Sequence, residues 1–424
     1  MFKIVAPTQT LLKFINGFNL NLSEPQMRHV IQFMDALLAC EGTKTIAKLN
    51  RLILDATDQS AFTDFFTYSP WSNDHLRKQV QRFLINWVAA ENKSSFLQKP
   101  IYISIDDSKN EKPTSSLHFE VTDWFFNTTE GRGYFYGVSF INVHISCGQR
   151  STPITLRLYL RQSTVRRINR HRGKNNRIPF KSKYTIVKEI LTELAPYLPK
   201  DVPVYILFDS WYASAKLIKL CRRRGWHVIC ALKQNRKFTK KGTNKSRQLR
   251  KHAHYTRNRD FKPIMVKSSD SSTRYWVSNQ RGYLNDIKDE VSIFISKRHP
   301  KDRGPEYFMT TDLSLSPPDG LSRYGRRWAV EVDHLYLKIR LGLGDFRLRY
   351  YEGITRYFDL VCLTLAYLNW RRVEESNSEL KTLSDVIALH RQDQQSTFLR
   401  YFGEQTLKLG SVDLAIADLL KKAA

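Results

Sequence analysis

Along residues 1–95 the apolar positions recur three to four apart, which predicts helices. EPQMRHVIQFMDALLACEG carries one such face, and TKTIAKLNRLILDA follows after a Gly-Thr break. SAFTDFFTYS and SNDHLRKQVQRFLINWVAAEN come next, with Ser72 or Asn73 placed to cap the last. The period changes at Pro100. IYISID, LHFEVTDWFF, GYFYGVSFINVHI and ITLRLYLR read as strands, and TTEGRG between the second and third fits a hairpin turn. A helix over 184–197, the strand VPVYILFD, the helix WYASAKLIKLCRRRG and the strand WHVICALK follow. Strands in series, then helix–strand–helix–strand, predict a mixed α/β sheet.

From about 234 to 318 that alternation is interrupted. A lysine- and arginine-rich loop is followed by FKPIMVKSS, TRYWVSNQ, EVSIFISKR and EYFMTTDL, all strand-like, and SPPDG closes the interval. Residues 319–342 predict one helix, and GITRYFDLVCLTLAYLNWRRV a second, largely buried one. The expected organisation is a helical DNA-binding domain at 1–95 and the first part of an α/β core at 96–233. A β-rich insertion at 234–318, the last core helices at 319–374 and a polar helical region without a site signal at 375–424 complete it.

Charge adds a partner. The chain has 424 residues, and 68 basic against 40 acidic residues leave it at +28. An excess of that size repels itself unless a polyanion is present, and nucleic acid is the leading candidate. Lys44, Lys48 and Arg51 on a short N-terminal helix suit a helix-turn-helix-like reader of DNA; a plain helical subdomain is the alternative. Five scattered cysteines without CxxC spacing argue against a disulfide framework and a zinc site. His252 and His254 sit in a basic loop, as phosphate contacts or solvent-facing groups. No apolar run of membrane-spanning length and no secretory leader is read, so the cytoplasm is the expected compartment.

The chemistry lies in acids at the ends of elements. Asp106, with Asp107 beside it, ends the strand IYISI; Asp209 ends VPVYILF; Glu331 lies on the predicted helix at 319–342. The carboxyl ends of strands are where α/β sheets bind ligands. Clustered carboxylates repel one another unless a cation is present, and hard oxygen donors suit Mg²⁺ or Mn²⁺. Each aspartate alone reads more readily as a turn or helix cap. At about 100° per residue, Tyr324, Arg327, Glu331 and Lys338 fall within an arc of about 60° on one helix. Such a stripe is either a salt-bridge ladder or a carboxylate flanked by groups that hold an anion.

Asp106-Asp107-Ser108, FDSWY at 208–212 and Tyr324-x2-Arg327-x3-Glu331-x6-Lys338 together resemble the signatures of DDE transposases of bacterial insertion sequences. The resemblance is to the "insertion sequence four" superfamily with its YREK motif, and it spans roughly residues 20–372. It implies an RNase H-like core interrupted by a β insertion, with two Mg²⁺ or Mn²⁺ ions held by Asp106, Asp209 and Glu331. Asp107 rivals Asp106 for the first position. Tyr324, Arg327 and Lys338 would contact phosphates of the transposon end, while Trp211 and Tyr212 would support Asp209. In better-known relatives a tryptophan of the insertion accepts a flipped base during hairpin formation. Here Tyr307 is the nearest aromatic and Trp276 lies further off, so Tyr307 is the implied stacking residue.

Nine Lys or Arg residues and no acid lie from Arg161 to Lys183, and eleven, among them Arg236, Lys237, Lys240 and Lys241, from Lys233 to Arg259. Interspersed Gly, Asn, Ser and Thr predict mobile loops that act as phosphate tracks. The expected function is a metal-dependent transposase that cuts the ends of its own element and joins them to target DNA. Its partners would be double-stranded DNA and, at synapsis, a second copy of the chain, in the bacterial cytoplasm at the nucleoid. A non-catalytic DNA-binding repressor or architectural protein, and a general RNase H-like nuclease, are the rivals.

Overall fold

The computed structural model of the chain describes all residues except 1, 94–97, 117, 127–132, 268–271, 376–379 and 424. Most of the hairpin turn expected at TTEGRG therefore lies outside the described residues. Five helices open the chain: α1 (Gln9–Ile15), α2 (Glu24–Ala39), α3 (Ile46–Asn50), α4 (Gln59–Thr67) and α5 (Asn73–Ala89). Ser72 caps α5 by accepting the backbone N–H of His75, and Ser23 and Gln26 close a capping box on α2.

Among the described residues, twelve strands form one sheet. β1 (Ile101–Glu111) lies at its centre, antiparallel to β3 (Tyr134–Cys147), which pairs with both β2 (Asp123–Phe126) and β4 (Arg150–Tyr159). After α6 (Gln162–Asn169) and α7 (Lys183–Leu194) comes β5 (Val204–Phe208), parallel to β1. α8 (Ala215–Arg223) then leads to β6 (His227–Ala231), parallel to β5. The order β4-β3-β1-β5-β6 is the RNase H-like arrangement.

The insertion does not form a separate β unit. It consists of β7 (Lys237–Lys240), β8 (Ser246–Gln248), α9 (Leu249–Tyr255), β9 (Lys262–Lys267), β10 (Ser272–Leu284), β11 (Val291–Lys297) and β12 (Glu306–Thr310). β12 pairs antiparallel with β6, and the sheet runs on through β11, β10, β7 and β8. β6 buries Val228, Ile229 and Cys230, so an open edge there would present unpaired backbone beside apolar side chains; β12 covers it. The expected loop at 233–259 is thus largely a hairpin and a short helix. Much of the 161–183 run is likewise packed: α6 carries Arg166 and Arg167, and Arg172 pairs with Glu120 and Glu352.

α10 (Pro317–Gly325) and α11 (Trp328–Leu335) follow, then a π turn at Tyr336–Arg340 and the buried α12 (Tyr351–Glu374). α13 (Leu383–Leu409) and α14 (Val412–Ala423) end the chain. Phe33 and Phe66 of the opening helices pack on Tyr357 of α12, with ring centroids 5.5 and 6.0 Å apart, and the helices share one hydrophobic core with the sheet. Lys44 is part of that packing. It is buried, its ammonium donates to the Cys40 carbonyl, and burial lowers its pKa to about 8. It is not available to phosphate, and Lys48 donates to the Glu41 carbonyl at 2.5 Å. Among the described residues, no helix is long and apolar enough to cross a membrane.

Candidate active site

Strand alternation separates the two adjacent aspartates. Asp106 has the parity of Tyr102, which packs in the small cluster with Tyr205 and Leu207 touched by Tyr324 of α10. Asp107 has the parity of Ile103 and Ile105, which belong to the main core. Asp106 accordingly meets α11, where its Oδ2 lies 3.0 Å from Arg327 Nη1. Asp107 meets α7 and the loop after β5, accepting from Lys183 Nζ at 2.5 Å and from Tyr212 OH at 2.9 Å.

The predicted single helix at 319–342 is broken. Between α10 and α11 the backbone bonds shorten to three residues, with Arg326 N to Arg323 O at 3.2 Å and Arg327 N to Tyr324 O at 2.9 Å. Gly325, a weak helix former, sits at the break. Tyr324 consequently packs on Phe308 of β12 at 4.9 Å, and burial pushes its hydroxyl up to about 12. Arg327 and Glu331 remain together, with Nη2 to Oε1 at 2.5 Å. Lys338 falls on the π turn; burial lowers its pKa, and it makes no ion pair or hydrogen bond among the described residues.

Asp209 stands just beyond β5, its Oδ1 accepting the backbone N–H groups of Trp211 at 2.9 Å and Tyr212 at 3.3 Å. Burial raises its pKa, with those N–H groups and Arg327 opposing and Asp107 adding to the rise. Burial also lifts Asp106 to about 7; Arg327 pulls it down, while Asp209 and Asp107 push it further up. Asp106, Asp209, Arg327 and Glu331 therefore share one electrostatic site. Trp211 is stacked on Tyr184 of α7, centroids 4.8 Å apart, and Tyr184 OH donates to the Trp211 carbonyl. Tyr212 is fully buried. These contacts pin the loop that carries Asp209.

A buried polar group seats α11. Asp333 accepts from Asn142 Nδ2 at 3.1 Å and lies 2.7 Å from His144 Nδ1, whose other nitrogen is 2.6 Å from Ser151 Oγ. Asn142 is the register partner of Asp106, and His144 stands at a β-bulge in the pairing of β3 with β4. Nothing in the sequence marks Asn142, His144 or Asp333, and Lys183 reads there only as part of a phosphate track, because the pairings with Asp333 and Asp107 span 76 residues or more.

Other expected contacts separate from the site. Tyr307 is 6% exposed, packed in the main core on β12, and is not presented to a base. Arg236 is half-buried beside Asp286, and Lys241 pairs with Glu290 at 2.8 Å. Lys237 and Lys240 are exposed and make no ion pair among the described residues.

Among the described residues, no group of three or more His, Cys, Asp or Glu side chains is arranged to hold a metal ion. The Arg327 guanidinium bridges Asp106 and Glu331 instead. The donors nevertheless fit a hard divalent cation in chemistry: three carboxylates offer hard oxygen ligands, and burial raises the pKa of Asp106 and Asp209.

Asp106 does not end its strand as expected, since β1 runs on to Glu111, but it lies where the pairing with β5 stops, and Asp209 stands just beyond β5; with the strand order this defines an RNase H-like nuclease fold. The chain belongs to the DDE superfamily endonucleases, whose family profile matches residues 14–278. Asp106 and Asp209 fall inside that match and Glu331 outside it. Endonucleases of this superfamily cut DNA and generally use divalent metals. No curated protein matches the chain.

Proposed function

We propose that the protein is a transposase of the "insertion sequence four" type that cuts the ends of its own element and joins them to target DNA. The observation that carries the reading is the convergence of Asp106, Arg327 and Glu331 beside Asp209, from three separate parts of the chain. Asp106, Asp209 and Glu331 would hold two Mg²⁺ or Mn²⁺ ions. When bound, such ions activate water or a 3′-hydroxyl and stabilise charge on the transferring phosphoryl group.

The side chains of the chain do the positioning. Arg327 gives up its carboxylates to grip a non-bridging phosphate oxygen, for which a guanidinium is suited by its paired N–H groups. Lys338 supplies a second, unpaired cation from the next turn. Tyr324, held by Phe308, fixes the approach of Arg327 through the contact of its ring with the guanidinium at 5.7 Å. Pairing two element ends calls for two copies of the chain, and exposed leucines along α13 and α14 support association there.

The test is cleavage of duplexes carrying the inverted repeats that flank the gene, with Mg²⁺ or Mn²⁺ added. Nicking at the repeat ends is expected for the wild type, and Glu331→Ala should lose it while keeping DNA binding. Absence of nicking would favour a non-catalytic DNA binder. Cutting without regard to the repeats would favour a general nuclease.

A further inference from the structure

We propose that a notch in the far edge of the sheet holds the backbone of the same DNA duplex about seven base pairs from the scissile phosphate; this rests on the nuclease reading above. Strand β10 pairs on one edge with β9 over Ser272–Val277 and with β7 over Gly282–Leu284. Between them, Ser278–Gln280 has no ladder partner on that edge. A cavity of about 530 Å³ opens there, lined by Lys240, Lys245, Arg247, Tyr255 and Lys262, with Asp260 the one acid. The four cations make no ion pair among the described residues. Gln280 Oε1 is buried at the notch without a partner.

The contrast is with part of the first basic run, residues 161–183. Arg161, Arg172, Lys181 and Lys183 of the first are matched by Asp123, Glu120 with Glu352, Glu189 and Asp107. The cations at the notch are left for an external polyanion, and Tyr255, exposed with Arg247 over its ring at 4.7 Å, adds a flat surface beside them.

Register places the notch relative to the site. Ile105 pairs with Phe208, Phe208 with Cys230, Cys230 with Met309, Met309 with Ile293, and Ile293 with Gln280. Ile105 and Phe208 immediately precede Asp106 and Asp209. One row across the sheet therefore runs from the carboxylates to the notch. Five inter-strand steps at about 4.8 Å put the two about 24 Å apart. A duplex laid along this row rises about 3.4 Å per base pair, so the span is about seven base pairs along its axis.

Ethylation interference on an end-labelled duplex carrying the flanking inverted repeat tests this. For the full-length wild type two clusters of interfering phosphates are expected, one at the cut and one about seven base pairs away. In Lys240→Ala/Lys245→Ala/Arg247→Ala/Lys262→Ala the remote cluster should vanish and the near one persist. The log–log salt slope should also fall by about 0.9 for each phosphate that the variant no longer neutralises. A single cluster in the wild type, or a variant that keeps both, overturns the notch assignment while leaving the nuclease reading intact. No interference anywhere, together with no cleavage, overturns both.

Discussion

Arg327 Nη1 lies 3.0 Å from Asp106 Oδ2 while its other terminal nitrogen holds Glu331. One guanidinium thus supplies the positive charge that two half-buried acids require, and it does so where a metal ligand set would have to close. Arg327→Gln should relieve that competition. Calorimetric titration with Mn²⁺ in the absence of DNA is expected to give tighter binding to the variant than to the wild type, although the variant loses cleavage. Equal affinities would mean that Arg327 does not occupy the cation's place.

The raised pKa of Asp106, about 7 against an ordinary 3.8, sets a pH dependence. Between those values the folded state binds more protons than the unfolded one, so this group's contribution to stability declines as pH rises from about 4 to 7. Asp106→Asn removes the titration. Its melting temperature relative to wild type should therefore be higher at pH 8 than at pH 5 in metal-free buffer, and a pH-independent difference would contradict the assignment.

Asp106 and Asp107 should separate by function. Asp107 is held by Lys183 and Tyr212 on the opposite face of the strand, where it braces the loop of Asp209. Asp106→Asn is expected to lose Mn²⁺ binding in the same titration. Asp107→Asn should retain it, since three candidate ligands remain. The reverse order would make Asp107 the ligand.

Much of this was legible in the sequence, for identifiable reasons. The period of two in IYISID and the apolar run VPVYILF locate β1 and β5 and the acids that follow those runs, although β1 continues to Glu111 and Asp106 lies inside it. Choosing between Asp106 and Asp107 needed tertiary information, because alternation says they diverge but not which face α11 covers. The straight helix at 319–342 failed at Gly325 and at the π turn, so the spacing of Tyr324 and Lys338 overstated how closely they share a face with Glu331. Composition made the 233–259 run look mobile; pairing of β12 to β6 built a sheet edge on which its hairpin could dock. Tyr307 was misplaced because an aromatic beside Gly and Pro gives no clue to which side of a strand it faces.

The buried contact between Asp333 and His144 yields the last prediction. Both side chains are almost wholly inaccessible, and Asn142 donates to the same carboxylate oxygen. Asp333→Ala leaves the two partners on β3 without their acceptor, and unsatisfied buried groups cost about 1–3 kcal/mol each. Urea unfolding should register a loss of about 2–6 kcal/mol for the two together. Replacing one of the partners together with the acid removes part of the unmet need, so Asp333→Leu/His144→Leu should recover part of the stability, with Asn142 alone left without its acceptor. If α11 is aligned by this contact, the double variant will remain folded and bind DNA yet cleave it slowly, because Glu331 is carried on the same helix two residues away. Wild-type cleavage by a stable double variant would show that the contact serves stability alone.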